Sequence, residues 1–208
     1  MEGEEQERLR QLAQQWKRPL GPAVEALLLQ YGRLLLEWSA RINLTGAKSL
    51  LDLVDDHYPD AFALADEIER NGSSSVLDAG SGGGLPALPT ALLVPASRFV
   101  LVEPIHKKVA FLRTAVRALG LTERAAICAS RVEDQAVTAS GPFDLAVSRA
   151  TFHPIDWLPR GLLLVRPGGW VIALTTERTL AAPAGLRLCE SIGYAEGDRW
   201  LLSFQRST

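Results

Sequence analysis

The sequence predicts an α/β protein with a doubly wound, mostly parallel sheet of seven strands, a helical N-terminal extension and a C-terminal antiparallel strand. Three observations carry this. From residue 75 onward, short apolar runs alternate with helical patterns at the spacing of successive βαβ units. The first of these runs, from Val76 to Asp78, opens directly into Gly80-x-Gly82-Gly83-Gly84, as a strand does when it turns into a helix over a ligand. Before residue 72 the apolar residues keep the three-four spacing of helix faces instead.

The elements follow in order. Residues 1 to 18, rich in Glu, Gln and Arg, read as a solvated helix or frayed arm. From Pro22, the set Leu27, Leu28, Tyr31, Leu34, Leu35, Trp38 and Ile42 marks one face of an amphipathic helix of about five turns. Asn43-Leu44-Thr45-Gly46 ends it with a turn, and Ser49 caps the next helix, with His57 and Asp60 near that helix's end. The run Asn71-Gly72-Ser73-Ser74-Ser75 then divides a helical cap, residues 1–72, from an alternating domain, residues 73–208. In that domain strands are expected at 76, 99, 125–129, 143–148 and 170–174, with helices from about Pro86, over 105–119, after Arg131 and before Pro167. Two late strand-like runs, 186–189 and 200–204, are close enough for a hairpin that adds an antiparallel edge.

Composition narrows the function classes. The 208 residues, 47% hydrophobic and 22% charged, suit a single chain with a sizeable core. A formal net charge of -2 excludes a global field toward nucleic acid, so any RNA affinity must be local. Cys128 and Cys189 have neither C-x-x-C spacing nor a paired histidine, which points to core thiols in a reducing compartment. His57 lacks a second ligand at metal spacing and reads as a hydrogen-bonded histidine of the cap. The scattered tryptophans read as core. The charged N-terminus and the lack of a long apolar run lead to the expectation of a cytoplasmic protein without membrane or metal, acting as a monomer.

The glycine loop carries the chemistry. A dinucleotide site wants a third glycine three places after the second, where this chain has Leu85, and Asp78 would repel a pyrophosphate. The same acid suits a cationic ligand. Glu103 closes the next apolar run, where an acid accepts hydrogen bonds from a ribose. A ligand that joins an adenosyl ribose to an ammonium and a sulfonium, without phosphates, is S-adenosylmethionine. Asp78 either holds the ammonium or pins the loop backbone; the residue alone leaves both open.

Four ordered motifs then resemble one family. Asp78-x-Gly80-x-Gly82-Gly83-Gly84-Leu85-Pro86, Leu101-Val102-Glu103-x-x-x-Lys107-Lys108, Ser130-Arg131-Val132-Glu133 and Phe143-Asp144-x-x-x-Ser148-Arg149-Ala150 are similar to those of the RsmG (GidB) family, as are Trp38-x-x-x-x-Asn43-Leu44-Thr45 and His57-x-x-Asp60. The resemblance implies a Rossmann-like class I methyltransferase fold and methylation of guanine N7 in small-subunit (16S) ribosomal RNA, with that RNA or its ribosomal particle as partner. It implies that Gly80 and Leu85 line the cofactor, that Val132 and Glu133 flank its adenine, and that Arg149 stands at the cofactor and substrate end of the fourth strand. The chain departs from the family at Thr175, where a lysine is usual, and at Ala61, where a serine is usual.

The expected site is therefore Arg149 as catalytic residue, with Asp78, Gly80, Gly82, Gly84, Leu85, Glu103, Val132, Glu133 and Arg149 on the cofactor and Arg131, Lys107 and Arg113 on the substrate. Guanine N7 has a lone pair and no proton, so its methylation needs aim rather than a general base. A permanently charged, two-pronged arginine suits that task, while its bland alternative is an ion pair with an acid such as Asp144. The basic face His106, Lys107, Lys108, Arg113 and Arg117 reads either as an RNA patch or as a solvated helix surface. Two rivals stay open: a methyltransferase of the same fold acting on a small molecule or protein, and a non-catalytic module that binds S-adenosylmethionine.

Overall fold

A computed structural model describes residues 2–208. Four helices come first: α1 (Glu2–Gln15), α2 (Pro22–Ser39), α3 (Leu50–Asp56) and α4 (Tyr58–Asn71). Pro22 sits where its missing N–H costs nothing, and Ser49 and Asp52 form a reciprocal cap at the start of α3. Gly72, in the left-handed region, ends α4. α1 is not a solvated arm: Leu9, Leu12 and Ala13 are buried in the same core as α2 and α3. Its polar composition hid a narrow apolar stripe, which becomes visible only beside its partners.

The alternating part holds β1 (Ser75–Ala79), α5 (Ala87–Leu93), β2 (Arg98–Val102), α6 (His106–Ala118), β3 (Ala125–Cys128), α7 (Gln135–Thr138), β4 (Phe143–Arg149), α8 (Pro154–Leu164), β5 (Val165–Thr175), β6 (Leu186–Tyr194) and β7 (Arg199–Arg206). The strands order as β3-β2-β1-β4-β5-β7-β6, parallel except for β7. The antiparallel strand is thus inserted between β5 and β6, and the edge belongs to β6 rather than to the chain's last strand. Hairpin spacing alone could not choose between those two.

Alternation along the strands divides the core. Val76, Phe99, Leu101, Leu145 and Ile172 face the cap helices, α5 and α6, whereas Leu77, Val102, Ala146, Val171 and Phe204 face α8. Trp157 of α8 is fully buried and donates its ring N–H to the Ile172 carbonyl at 2.8 Å. Cap and sheet share one apolar cluster, with Trp38 edge-on to Phe111 of α6. Cys128 and Cys189 are both only half-buried, so neither is the core thiol expected of it, because each lies near the end or edge of a strand rather than under a helix. None of the described helices is long and apolar enough to cross a membrane.

Candidate functional site

The strand order reverses direction between β1 and β4, and in such sheets ligands bind beyond the carboxyl ends of the strands on either side of that switch. Asp78 lies at the end of β1, Glu103 just past β2, and Arg149 at the end of β4.

The glycine loop is held from both sides. Gly80, Gly82 and Gly84 adopt positive φ of 76°, 55° and 82°. Gly80 and Ser81 donate to the Val102 carbonyl, and Gly82 donates to Glu103 Oε2 at 2.9 Å. Glu103 Oε1 accepts the Ile105 N–H, also at 2.9 Å. Each carboxylate oxygen keeps a further lone pair, so Glu103 is a loop clamp with acceptor capacity left over. From the cap, the Tyr31 hydroxyl donates to the Gly83 carbonyl at 2.7 Å, and a side chain at Gly83 would come within 2.8 Å of Leu35. A Cβ at Gly82 would meet nothing closer than 3.9 Å. Gly82 is therefore the glycine past which a ligand has room, while Gly84 faces Leu88 and Leu112 and serves packing. Leu85 is half-buried against the core shared with the cap.

Asp78 is 1% exposed, and its Oδ2 has no hydrogen-bond partner among the described residues. Burial pushes its pKa up to about 7, with the Ser81 hydroxyl and the Arg149 charge opposing the rise. An orphaned buried carboxylate oxygen beside an open glycine turn fits the ammonium of S-adenosylmethionine. The sign follows. A folded pKa above the unfolded value of about 3.9 means that the charged form opposes folding, at a cost absent below about pH 4 and complete above about pH 7. Asp78→Asn is expected to stabilise the cofactor-free protein at pH 8 while weakening cofactor affinity. In the unsubstituted protein that affinity should rise about tenfold per pH unit up to about pH 7, the slope of one coupled proton, and the slope should vanish in the variant. Calorimetry between pH 5.5 and 7 checks this; a flat profile for the unsubstituted protein would refute it.

Two hollows lie at this end of the sheet, and the first touches the loop at Gly80. One, of about 400 Å³, lies between Gly80, Ile105, Arg131, Val132, Glu133 and Phe152. Its size is that of a small-molecule site. Ile105 is 43% exposed, a large apolar side chain at the rim where a flat ring would cover it. The other, of about 300 Å³, lies between Asp60, Arg149, Phe152, Thr175, Thr176 and Arg199. Phe152 lines both hollows; it stacks on Trp157 at 6.0 Å, and the Arg160 guanidinium lies 5.1 Å from its ring centre. Arg160 in turn pairs with Glu133 at 3.0 Å.

Arg149 does not pair with Asp144. Asp144 instead accepts from Ser74 and Ser75 and pairs with Arg166, contacts that hold its carboxyl well below the usual range despite some burial. Arg149 turns to the cap: Nη1 lies 2.8 Å from Asp60 Oδ2, and Nη2 lies 2.5 Å from His57 Nδ1. Burial, then the Arg149 charge, lowers the His57 pKa to about 4, so the neutral ring accepts from the arginine near pH 7. Asp60 Oδ1 accepts the Tyr194 hydroxyl at 2.8 Å and lies 3.4 Å from Arg199 Nη1.

Of the residues expected from the sequence, Asp78, Gly80, Gly82, Glu103, Arg131, Val132, Glu133 and Arg149 converge here. Lys107 and Arg113 do not: they lie exposed on α6 and border neither hollow. Sequence reasoning missed Ile105, Phe152, Tyr194 and Arg199. Ile105 lies inside the second motif, two residues past Glu103, and Phe152 two residues past the end of the fourth, so both could have been found there; Tyr194 and Arg199 had no local signal, being brought to the site by the hairpin. No cluster of three or more His, Cys, Asp or Glu suited to a metal occurs among the described residues.

Comparison with known proteins agrees with this geometry. A family model described as rRNA small subunit methyltransferase G (GidB) matches residues 24–184. The chain is 35% identical over 173 residues to ribosomal RNA small subunit methyltransferase G of Myxococcus xanthus, covering 81% of this chain and 76% of that protein. It is 33% identical over 179 residues to the protein of the same name from Aromatoleum aromaticum, covering 82% of each. Among solved structures, an O-methyltransferase from Bacillus cereus in complex with SAH superposes with a TM-score of 0.66 at 18% identity, covering 95% of this chain and 96% of that one. The O-methyltransferase TomG from Streptomyces achromogenes, in complex with SAM, gives 0.61 at 14% identity, covering 91% and 92%. At those identities the likeness concerns the fold.

Proposed function

The chain belongs to the rRNA small subunit methyltransferase G family and is an S-adenosylmethionine-dependent rRNA methyltransferase; from that premise we propose that it methylates N7 of a guanine in 16S ribosomal RNA. The observation that carries the reading is the meeting of the two hollows at Phe152: one bounded by Gly80, Ile105, Val132 and Glu133, the other by Asp60 and Arg149. A cofactor in the first and a base in the second would share that boundary.

When bound, S-adenosylmethionine supplies an electrophilic methyl group on a sulfonium. Glu103 would accept from its ribose, Asp78 would hold its ammonium, and Val132, Glu133 and Ile105 would flank its adenine. Gly82 leaves the backbone open to it, while Gly80 borders the hollow with Thr151 packed against it. On the other side of Phe152, Arg149 would aim the guanine by an acceptor on its edge. No described side chain needs to act as a base, because N7 carries no proton. The positive charge left on the methylated base would be met by the Asp60 carboxylate, which borders the second hollow. Thr175 and Thr176 border the base hollow with neutral hydroxyls, and the cation on that side is Arg199.

Residues 1–72 act as a cap that fixes the loop through Tyr31 and Arg149 through Asp60, and residues 73–208 as the cofactor-binding domain. Lys107 and Arg113, exposed on α6, and Arg131 at the rim of the first hollow would supply local positive charge for the RNA backbone, which a chain of net charge -2 does not supply globally. The protein acts as a cytoplasmic monomer.

Incubating small subunits from a strain lacking the enzyme with cofactor labelled on the methyl group is the test. The reading predicts label on a single N7-methylguanine when the RNA is mapped by mass. Label on protein alone, or none, would overturn it.

A further inference from the structure

Asp60 is 3% exposed and gathers three side chains from distant parts of the chain: Arg149 at the end of β4, and Tyr194 and Arg199 flanking the β6–β7 turn. An arginine beside a lone carboxylate ordinarily takes it as a fork, two parallel N–H···O bonds to the two oxygens. Here it does not. Oδ1 is taken by the Tyr194 hydroxyl at 2.8 Å, with Arg199 Nη1 at 3.4 Å, and only Oδ2 faces Arg149. His57 holds the other guanidinium nitrogen through Nδ1. Arg149 Nη1 is close enough to Asp60 for charge attraction, yet it is buried and has no well-directed hydrogen-bond acceptor among the described residues. The guanidinium is anchored at its edge by Asp60 and His57, while the arginine borders the hollow.

We propose that Tyr194 is a positioning residue for methyl transfer: by holding Oδ1 of Asp60, with Arg199 beside it, it keeps the guanidinium from closing as a fork onto Asp60, so that the part of Arg149 exposed to the hollow stays turned toward the substrate base. The proposal rests on the reading above that Arg149 faces the substrate. It assigns the hairpin, which touches neither the glycine loop nor Glu103, a part in turnover. The charged and titratable groups around Asp60 are Arg149, Arg199, His57 and Tyr194, with Asp56 at 3.8 Å from Arg199 Nη2 as the exposed outer partner. Burial and the Asp60 charge push the Tyr194 pKa up, so its hydroxyl stays a donor.

Tyr194→Phe keeps the ring against Trp16, 5.9 Å away, and deletes only the donor. Two readouts are expected: kcat for small-subunit methylation at least about tenfold lower, the loss of one aligning bond, with KM for the cofactor unchanged within twofold; and, by nitrogen-15 NMR of the arginine side chains, slower rotation of the Arg149 guanidinium as it closes into the fork. Arg199→Met strips the longer contact from the same oxygen and should give the same NMR change to a smaller degree, which serves if the tyrosine variant does not fold. A purely structural tyrosine would lower thermal stability and leave kcat of the folded fraction intact. Unchanged Arg149 resonances, or kcat within twofold, overturns the proposal. If the unsubstituted protein does not methylate small subunits, the functional reading fails separately, and the NMR comparison still decides how Arg149 is paired.

Discussion

Glu103→Gln is expected to weaken cofactor binding roughly 10- to 100-fold, the range for losing hydrogen bonds to a charged group. The carboxylate accepts two backbone N–H groups at once, from Gly82 and Ile105, at 2.9 Å each. An amide offers one acceptor and one donor, so whichever way it turns, one of those N–H groups faces another N–H. The loop then loses its clamp on one side, and the oxygen offered to the ribose is lost or displaced. Calorimetry with S-adenosylhomocysteine measures the change directly. An affinity within threefold of the unsubstituted protein would mean that Glu103 serves the loop alone.

Arg149→Lys is expected to lower kcat by about 10²-fold, the scale for removing one preorganised donor, while cofactor affinity moves far less. Lysine keeps a positive charge beside Asp60; alanine would leave the Oδ2 of a carboxylate that is 3% exposed without its partner, with only Tyr194 and Arg199 on Oδ1, and confuse folding with catalysis. A lysine cannot contact Asp60, His57 and a substrate acceptor in the planar spread that the guanidinium uses. Single-turnover methylation of small subunits separates the chemical step from binding. Loss of cofactor affinity with an unchanged chemical step would place Arg149 on the cofactor instead.

The parts of the fold legible in the sequence were those with local causes. Ser49 marked a helix start because capping acts within a few residues, and the glycine loop declared itself because positive φ at Gly80, Gly82 and Gly84 leaves few other residues possible. Asp78 and Glu103 were legible because each closes an apolar run. Three things were not. The apolar stripe of α1, only Leu9, Leu12 and Ala13, is too narrow to stand out from its polar neighbours. The bland alternative for Arg149, an ion pair with an acid such as Asp144, looks along its own strand, whereas the cap supplies Asp60, and only the packing of α4 against the sheet sets that pairing. Tyr194 reaches Asp60 across 134 residues of chain, a separation at which spacing carries no information.

The fold also explains why the cap cannot be a passive lid. The Tyr31 hydroxyl on the Gly83 carbonyl, Leu35 against Gly83, and Asp60 and His57 on Arg149 reach the loop and the arginine from opposite directions. Of these, Tyr31 and Leu35 come from the face that the amphipathic pattern alone would assign to covering apolar surface.

A structure of the protein with S-adenosylhomocysteine tests the central claim most directly. The account predicts the ribose hydroxyls on Glu103, the amino group on Asp78, and the sulfur turned toward Phe152 and the hollow that Arg149 borders. A nucleoside bound away from the glycine loop, or Glu103 and Asp78 without contact to it, would contradict the account.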